Sequence, residues 1–467
     1  MTTASQRAVE AICQHYQAAV VEFSNQRLHI AMAGTPPHEM MTELRFITPG
    51  VIDVECWPQA RLEQHLHRGR ETLEGTERRA ESSDEVGAGA VERVNHLLNL
   101  ALQKRASDVH IEPQERGLRI RIRVDGVLQQ VMVLSEGSAP IIARLKILAN
   151  LDIAERRVPQ DGQFSLVLGD KTESFRLSTL PNRLGEKAVI RLLQSDEQAI
   201  SLEKLGMPAT LLKHYRSALS KPQGLILVTG PTGSGKTFTL YSGLSWLNAP
   251  SRNLCSVEDP VEIPLAGVNQ TQIHTRSGLS FQLVLRALLR QDPDVIMLGE
   301  IRDGETAEIA VKAAQTGHLV LSTLHTNSTT ETLVRMGQMG VPGYMLASAL
   351  KLIVAQRLVR KLCTHCREPA EALAHFPSDI WPGTVQNWRA VGCERCFSGY
   401  YGRLALFEML PVFPALQNAL AQNASPEALA KLAHQQGMEP LFVGGLHCVN
   451  RGETTLEELT RVTGGPG

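Results

Sequence analysis

The sequence predicts an α/β core built on a doubly wound, largely parallel sheet, preceded by an α+β domain and a small N-terminal domain. Three observations support this prediction. From Gly224 onward, short apolar strands alternate with helical patterns. Between Val109 and Leu134, apolar residues recur at every second position. Two CxxC pairs near the C-terminal end add a small metal-binding insertion to the core.

Length and composition exclude several classes of protein. At about 150 residues per domain, the 467 residues predict about three domains. With 43% hydrophobic and 20% charged residues the chain is globular, neither disordered nor fibrous. The 47 basic and 48 acidic residues leave a net charge of −1, so we expect no dedicated nucleic-acid binding. No apolar run reaches the roughly 18 residues of a membrane span, and the N-terminus lacks a secretory pattern. We therefore expect a cytoplasmic protein whose membrane contact is indirect.

A charged, Ser- and Gly-containing stretch at 68–90 is typical of a linker. It separates an N-terminal domain, 1–67, which carries no recognisable chemistry, from a middle domain at 91–205. The middle domain is predicted as α+β from helical patterns and from strands joined by two hairpin turns. Its predicted elements are a helical pattern from Val91 to Leu102, alternating strands around an Asp125-Gly126 turn, a helix at Ile141–Leu151, a second hairpin at Gly169-Asp170 and a strand at Lys187–Leu193.

The third domain, 206–467, contains the strand and helix alternation. Its strand candidates are short, continuously apolar and followed by polar residues: Gly224–Thr229, Asn253–Val257, Asp294–Leu298 and Leu319–Leu324. Strands of this kind are buried on both faces of a parallel sheet. Because ligands of such sheets bind at the carboxyl ends of the strands, we expect the chemistry there.

The motif GxxxxGK[ST] directly follows the first of these strands and precedes a helical pattern, which is the context that a phosphate-binding loop requires. Its glycines let successive backbone N–H groups point at phosphate oxygens at a helix N-terminus. Lys236 is expected to reach the β- and γ-phosphates of ATP, and Thr237 to bind Mg²⁺. The alternative is a glycine-rich turn without a ligand. The motif residues are Gly230, Pro231, Thr232, Gly233, Ser234, Gly235, Lys236 and Thr237.

Polar residues that suit phosphate chemistry follow the other strands. Glu258 follows the second strand segment and Glu300 follows the third. A carboxylate at such a strand end can orient or deprotonate the attacking water, or hold a water bound to Mg²⁺. His325 follows the fourth strand and can sense the γ-phosphate. The alternatives are solvated loop carboxylates and a structural histidine.

The cysteines Cys363, Cys366, Cys393 and Cys396 form two CxxC pairs. Four thiolates in two such pairs predict a closed, tetrahedral structural Zn²⁺ site within about 360–400. Because a closed site leaves no position for water, we expect no catalysis there. The alternative is a set of four unligated cysteines.

These motifs together resemble the secretion ATPase superfamily. Its Walker A segment, Asp box, atypical Walker B segment and His box are similar to GPTGSGKT, SVEDPVE, LRQDPDVIMLGEIRD and GHLVLSTLHTN. RASDVHIEP, RIRVDG, LDIAERRVPQDGQ and the cysteine pairs further resemble the branch that powers type II secretion and type IV pilus assembly. The resemblance spans about 90–467 and implies a RecA-like ATPase domain after a PAS-like middle domain.

The resemblance also implies roles for individual residues. Glu258 would be the water-activating carboxylate, Glu300 the Walker B acid and His325 the His-box residue near the γ-phosphate. Arginines would stabilise transition-state charge from an adjacent protomer, with Arg121, Arg123, Arg286 and Arg290 as candidates. Arg286 and Arg290 are predicted on one face of a helix preceding Asp292.

By resemblance, the protein is a homohexameric, Mg²⁺-dependent ATPase. It would act on an inner-membrane platform protein to assemble pilin or pseudopilin fibres, and residues 1–67 would dock on a further partner. One alternative is a pilus retraction ATPase, whose known members lack the tetracysteine insertion. A nucleic-acid translocase is another, disfavoured by the balanced charge and the 4% aromatic content.

Overall fold

The computed structural model describes residues 9, 12–13, 16, 18–23, 27–47, 51–58, 62, 83–115, 117–134, 139–168, 171–193, 200–274, 277–371 and 373–465. The chain divides into two compact units, Met1–Leu193 and Gln194–Gly467. The sequence prediction placed the corresponding boundary after residue 205. Among the described residues, no helix combines the length and apolar character that crossing a membrane requires.

The first unit contains two sheets. Its small N-terminal sheet has the order β1-β2-β3, with β1 antiparallel and β3 parallel to β2. Its six-stranded sheet is antiparallel, in the order β6-β5-β4-β9-β8-β7. The strands are β1 (Ala19–Phe23), β2 (Arg27–Met32), β3 (Val51–Cys56), β4 (Ala106–Gln114), β5 (Gly117–Val124), β6 (Val127–Leu134), β7 (Gln160–Leu168), β8 (Lys171–Asn182) and β9 (Gly185–Leu193). The helices are α1 (His38–Ile47), α2 (Ser83–Gln103) and α3 (Ala139–Leu148).

Helix α2 begins within the stretch predicted as a linker. Residues 83–90 are helical, and residues 68–82 lie outside the described residues. The predicted Gly169-Asp170 turn also lies outside them, although β7 and β8 pair up to Leu168 opposite Lys171. The alternating pattern of β5 confirms its expected amphipathic character, since Leu118, Ile120 and Ile122 are buried.

The second unit contains a seven-stranded sheet in the order β12-β11-β13-β14-β10-β15-β20. Its first six strands are parallel, and the edge strand β20 is antiparallel to β15. The strands are β10 (Gly224–Thr229), β11 (Leu254–Glu258), β12 (Asn269–Gln272), β13 (Val295–Leu298), β14 (Leu319–Leu324), β15 (Leu350–Leu362) and β20 (Tyr400–Pro411). Short strands between β15 and β20 form two hairpin-like pairs: β16 (Arg367–Pro369) with β19 (Trp388–Ala390), and β17 (Ala374–His375) with β18 (Thr384–Val385).

Helices cover both faces of this sheet, as the sequence predicted. Leu225 and Leu227 of β10 pack into the core on one face, whereas Ile226 and Val228 pack into the core on the other. This alternation shows why β10 is continuously apolar. The helices are α4 (Ala209–Leu219), α5 (Lys236–Leu247), α6 (Phe281–Leu288), α7 (Gly304–Gln315), α8 (Thr329–Gln338), α9 (Gly343–Ala349), α10 (Pro414–Ala421), α11 (Pro426–Gln435), α12 (Leu441–Asn450) and α13 (Leu456–Thr463), with a 3₁₀ turn at Leu202–Leu205.

Candidate functional site

The GxxxxGK[ST] segment forms a loop between β10 and α5. Gly235 caps α5 with a φ of +88°, a conformation that side-chain-bearing residues rarely adopt. A Cβ on Gly235 would lie 2.7 Å from Nε2 of Gln356, so any larger residue would displace the Gln356 side chain. The hydroxyl of Ser234 is buried and has no hydrogen-bond partner among the described residues. An unsatisfied buried donor inside a loop of this shape fits a phosphate ligand.

Lys236 is the first residue of α5, its side chain reaches back to the start of the loop, and it is only 8% exposed. Its Nζ donates hydrogen bonds to the carbonyl oxygens of Gly230 at 2.8 Å and Pro231 at 3.1 Å. Burial lowers the pKa of Lys236 to about 8, with the nearby charge of Glu300 opposing this shift and that of Arg357 adding to it. The ammonium is therefore held by carbonyl groups that it can exchange for phosphate oxygens.

Glu300 and His325 meet at the carboxyl ends of the neighbouring strands β13 and β14. Nε2 of His325 lies 3.2 Å from Oε2 of Glu300, and Arg302 pairs with Oε1 of the same carboxylate. Burial raises the pKa of Glu300, but the hydrogen bond and charge of Arg302, together with His325, outweigh it and lower the pKa below its usual value. The carboxylate is thus ionised at neutral pH and remains 20% exposed.

Glu258 has a different environment at the end of β11. It is 3% exposed, and its carboxylate accepts hydrogen bonds from Ser256 Oγ at 2.5 Å and Gln270 Nε2 at 3.1 Å, and one from the Tyr241 hydroxyl. Burial and the hydrogen bond to Glu258 raise the pKa of Tyr241. The structure therefore brings Glu258 to the same sheet edge as Glu300 but engages it with three protein donors.

Sequence reasoning missed Arg357, which β15 places beside the phosphate-binding loop. Its Nη1 donates to the carbonyl of Gln356 at 3.1 Å, and its Nη2 donates to the backbone carbonyl and Oδ1 of Asn327 at 3.0 and 3.1 Å. A Cβ on Gly230 would lie 3.2 Å from Nη1. No sequence motif marks this arginine, since only the pairing of β15 with β10 brings it to the site.

The four candidate arginines have partners of their own. Arg121, in the first unit, forms a bidentate pair with the buried Glu112, with distances of 2.9 and 2.8 Å. Burial raises the pKa of Glu112, but its bonds to Arg121 and Lys187 lower it to about 2. Arg123 donates to the Gly126 carbonyl and lies 3.7 Å from Asp108. The charged face of β5 is therefore an ion-pair network.

The prediction for Arg286 and Arg290 needs a correction. The helix α6 ends at Leu288, so Arg290 lies in the turn that follows and not on the helix. Further along the chain, Asp292 adopts a positive φ of 50° directly before Pro293, so the helix does not continue through this segment. Nη1 of Arg290 nevertheless bonds the Arg286 carbonyl at 3.0 Å, and Arg286 itself pairs with Glu305.

The four cysteines of the CxxC pairs come together after β15 and before β20. Their sulfur atoms lie within 4.8 Å of one another, and none forms a disulfide. Sγ of Cys363 lies 3.8 Å from that of Cys393, and Sγ of Cys366 lies 3.7 Å from that of Cys396. Zn–S bonds of about 2.3 Å in a tetrahedron require sulfur separations of about 3.8 Å. The donor set therefore fits a tetrahedral metal ion.

A parallel sheet, a phosphate-binding loop and polar side chains at three neighbouring strand ends define a P-loop nucleoside triphosphatase. Residues 84–461 match the family model described as type II/IV secretion system protein, and the chain belongs to this family. The protein is an ATPase.

Two relatives illustrate the similarity. The chain is 53% identical to the protein transport protein HofB homolog of Escherichia coli K12, over 98% of each chain. It is 48% identical to the type IV pilus assembly ATPase PilB of Pseudomonas aeruginosa, over 82% of this chain and 69% of that one. Among solved structures, the pilus retraction motor PilT with bound ADP matches 79% of this chain and 96% of its own, at 26% identity and a TM-score of 0.52.

Proposed function

We propose that this chain is the hexameric motor that uses ATP hydrolysis to assemble pilin or pseudopilin fibres, in type IV pilus biogenesis or type II secretion. The observation that carries the proposal is that Lys236, at the end of the phosphate-binding loop, and the Glu300–His325 pair lie near each other at the same edge of the sheet. The similarity to the assembly ATPase PilB supports assembly over retraction, and the cysteine cluster agrees with that choice.

The phosphate-binding loop, Gly230–Thr237, would hold the ATP phosphates, with Ser234 and Lys236 as donors that face inward. The exposed hydroxyl of Thr237 would bind Mg²⁺. When bound, the ion polarises phosphoryl oxygens and neutralises charge on the transferred group. The protein residues would orient the phosphates, and the bound phosphates would keep Lys236 protonated.

We assign the water-orienting role to Glu300 and not to Glu258. Glu300 is ionised, partly exposed and paired with His325, so it can accept a proton or a hydrogen bond from water. Glu258 would have to release the Tyr241 or Ser256 hydroxyl before it could do so. Glu258 then acts by fixing the end of β11.

The remaining parts of the proposal concern assembly. In a hexamer, Arg121, Arg123, Arg286 or Arg290 would stabilise transition-state charge at a neighbouring protomer's site. Residues 1–67 would dock on a partner, and the platform protein would supply attachment to the inner membrane from the cytoplasmic side. The four cysteines would bind a structural Zn²⁺ that closes the subdomain of about 360–400.

Three variants of the full-length protein test the site. Lys236→Ala should abolish binding of MgATP. Glu300→Gln should retain MgATP binding, measured with a fluorescent ATP analogue, but lose phosphate release by at least about a hundredfold. Glu258→Gln should retain measurable turnover per folded molecule. Ordinary turnover in Glu300→Gln, or normal binding in Lys236→Ala, would overturn the assignment.

A fourth measurement addresses the class of motor. Adding DNA or RNA should leave the wild-type turnover unchanged, because the charge balance offers no basic groove. A strong stimulation by nucleic acid would instead favour a translocase.

A further inference from the structure

Arg357 is a buried cation beside the phosphate-binding loop, and it is 6% exposed. Among the ion pairs of the described residues, none joins its guanidinium to a carboxylate within 4 Å. Burial lowers the pKa of Arg357, while the more distant Glu408 and Glu331 oppose this shift. Placing an unpaired charge in a protein interior costs free energy unless an opposite charge comes close.

Lys236 is the second buried cation at this place. The charge of Arg357 contributes to the lowered pKa of Lys236, so the two cations repel each other through the protein interior. Glu300 opposes this effect but already pairs with Arg302 and His325. Without nucleotide the site therefore holds two buried cations close to each other, and a polyphosphate would relieve their repulsion.

The contacts of Arg357 connect two loops. On one side it lies against Gly230, where the phosphate-binding loop begins. On the other side its Nη2 donates hydrogen bonds to the backbone and side-chain oxygens of Asn327, two residues after His325. A second contact joins the same two segments, since Thr326 Oγ1 lies 2.6 Å from Thr229 Oγ1 at the end of β10.

We propose that Arg357 is a positioning residue of the nucleotide site, which holds the His325 loop against the phosphate-binding loop through Asn327. Nucleotide phosphates then stabilise the arrangement by neutralising the Lys236 and Arg357 charges together. Phosphate binding and the placement of His325 beside Glu300 are thereby coupled within one protomer. This inference rests on the nucleotide site proposed above.

The test distinguishes the effect of the Arg357 charge from the effect of its hydrogen bonds to Asn327 and Gln356. Arg357→Lys keeps the charge but cannot hold the two Asn327 oxygens and the Gln356 carbonyl at once. We expect its affinity for a nonhydrolysable MgATP analogue to stay within about threefold of wild type, while kcat falls about tenfold. Arg357→Met should lose about tenfold in both affinity and kcat, and nucleotide should raise its Tm less than it raises that of wild type.

Asn327→Ala and a control on the same strand complete the design. Asn327→Ala should resemble Arg357→Lys, and the double variant should show less than the product of the two losses in kcat. Arg360, three residues further along β15, bonds Glu458 instead of the loops. Arg360→Met should lower the Tm without changing affinity or kcat per folded molecule.

Each outcome decides between the two roles. If Arg357→Lys loses affinity and kcat equally, in proportion to a lower Tm without nucleotide, Arg357 is purely structural and the proposal is refuted. Unchanged kinetics in Arg357→Lys would also refute the proposal. Failure of the wild-type protein to bind MgATP, or normal binding by Lys236→Ala, would instead refute the nucleotide site itself.

Discussion

The lowered pKa of Lys236 predicts that nucleotide affinity depends on pH. A phosphate group needs the protonated ammonium, and in the free protein the pKa of Lys236 is about 8. Between pH 7.5 and pH 9.0 the protonated fraction falls roughly from three quarters to one tenth, so affinity should fall roughly eightfold. Bound phosphate raises the pKa again, so binding above pH 8 should take up a proton.

Titration calorimetry with MgADP can measure both effects. Dissociation constants at several pH values give the slope, and buffers of different ionisation enthalpy give the number of protons taken up. The phosphates of ADP are fully ionised over this range and do not contribute. The matched control is Lys236→Arg, whose guanidinium stays protonated throughout.

The control variant can bind more weakly overall, but its affinity should be nearly independent of pH. A flat profile in the wild-type protein would refute the reasoning from burial. An equal slope in Lys236→Arg would assign the dependence to another group.

Two further predictions concern stability and metal. The pKa of Glu458 is lowered to about 2 by Arg461 and Arg360, against the effect of burial, and its side chain is fully buried. Glu458→Gln should therefore cost about 3 kcal/mol of unfolding free energy at pH 7 in urea titrations, whereas the exposed Glu457→Gln should cost little. The difference in unfolding free energy between wild type and Glu458→Gln should shrink as the pH falls from about 4.5, the pKa of Glu458 in the unfolded chain, toward 2. A difference that stays constant over this range would contradict the charge argument. Mass spectrometry of the folded protein should find one zinc ion per chain, which Cys393→Ser should lose and the control Cys448→Ser should keep. Chelation of zinc should speed proteolysis within about 360–400 but leave MgATP binding unchanged. Unchanged proteolysis would count against the metal.

The sequence predicted the parts of the molecule that local patterns encode. Strands β10 and β14 begin and end at the predicted residues, because strands buried on both faces are apolar throughout. The CxxC spacing likewise predicted that four sulfur atoms would come together. Glu258 and His325 were predicted at the carboxyl ends of strands, and they lie at the end of β11 and directly after β14.

Other features depend on contacts between distant segments. Strand β15 mixes apolar and basic residues, so no simple period marks it as the neighbour of β10. Arg357 gains its place only through that pairing. The hydrogen bonds to the Glu258 carboxylate depend on Tyr241 and Gln270, which belong to other elements. The end of α6 at Leu288 and the positive φ of Asp292 were not revealed by the helical pattern.

Strand β15 also has a mechanical consequence. It pairs with β10 from Leu225 to Thr229, passes the phosphate-binding loop at Gln356 and ends one residue before Cys363. At about 3.3 Å per residue, the cysteine cluster begins about 20 Å from Arg357 along one extended strand. Strand β20 pairs with β15 up to Arg360 and again at Leu362, with a register shift between them, and this pairing opposes sliding of the strand. A load applied at the cysteine subdomain is therefore transmitted along the strand to the phosphate-binding loop.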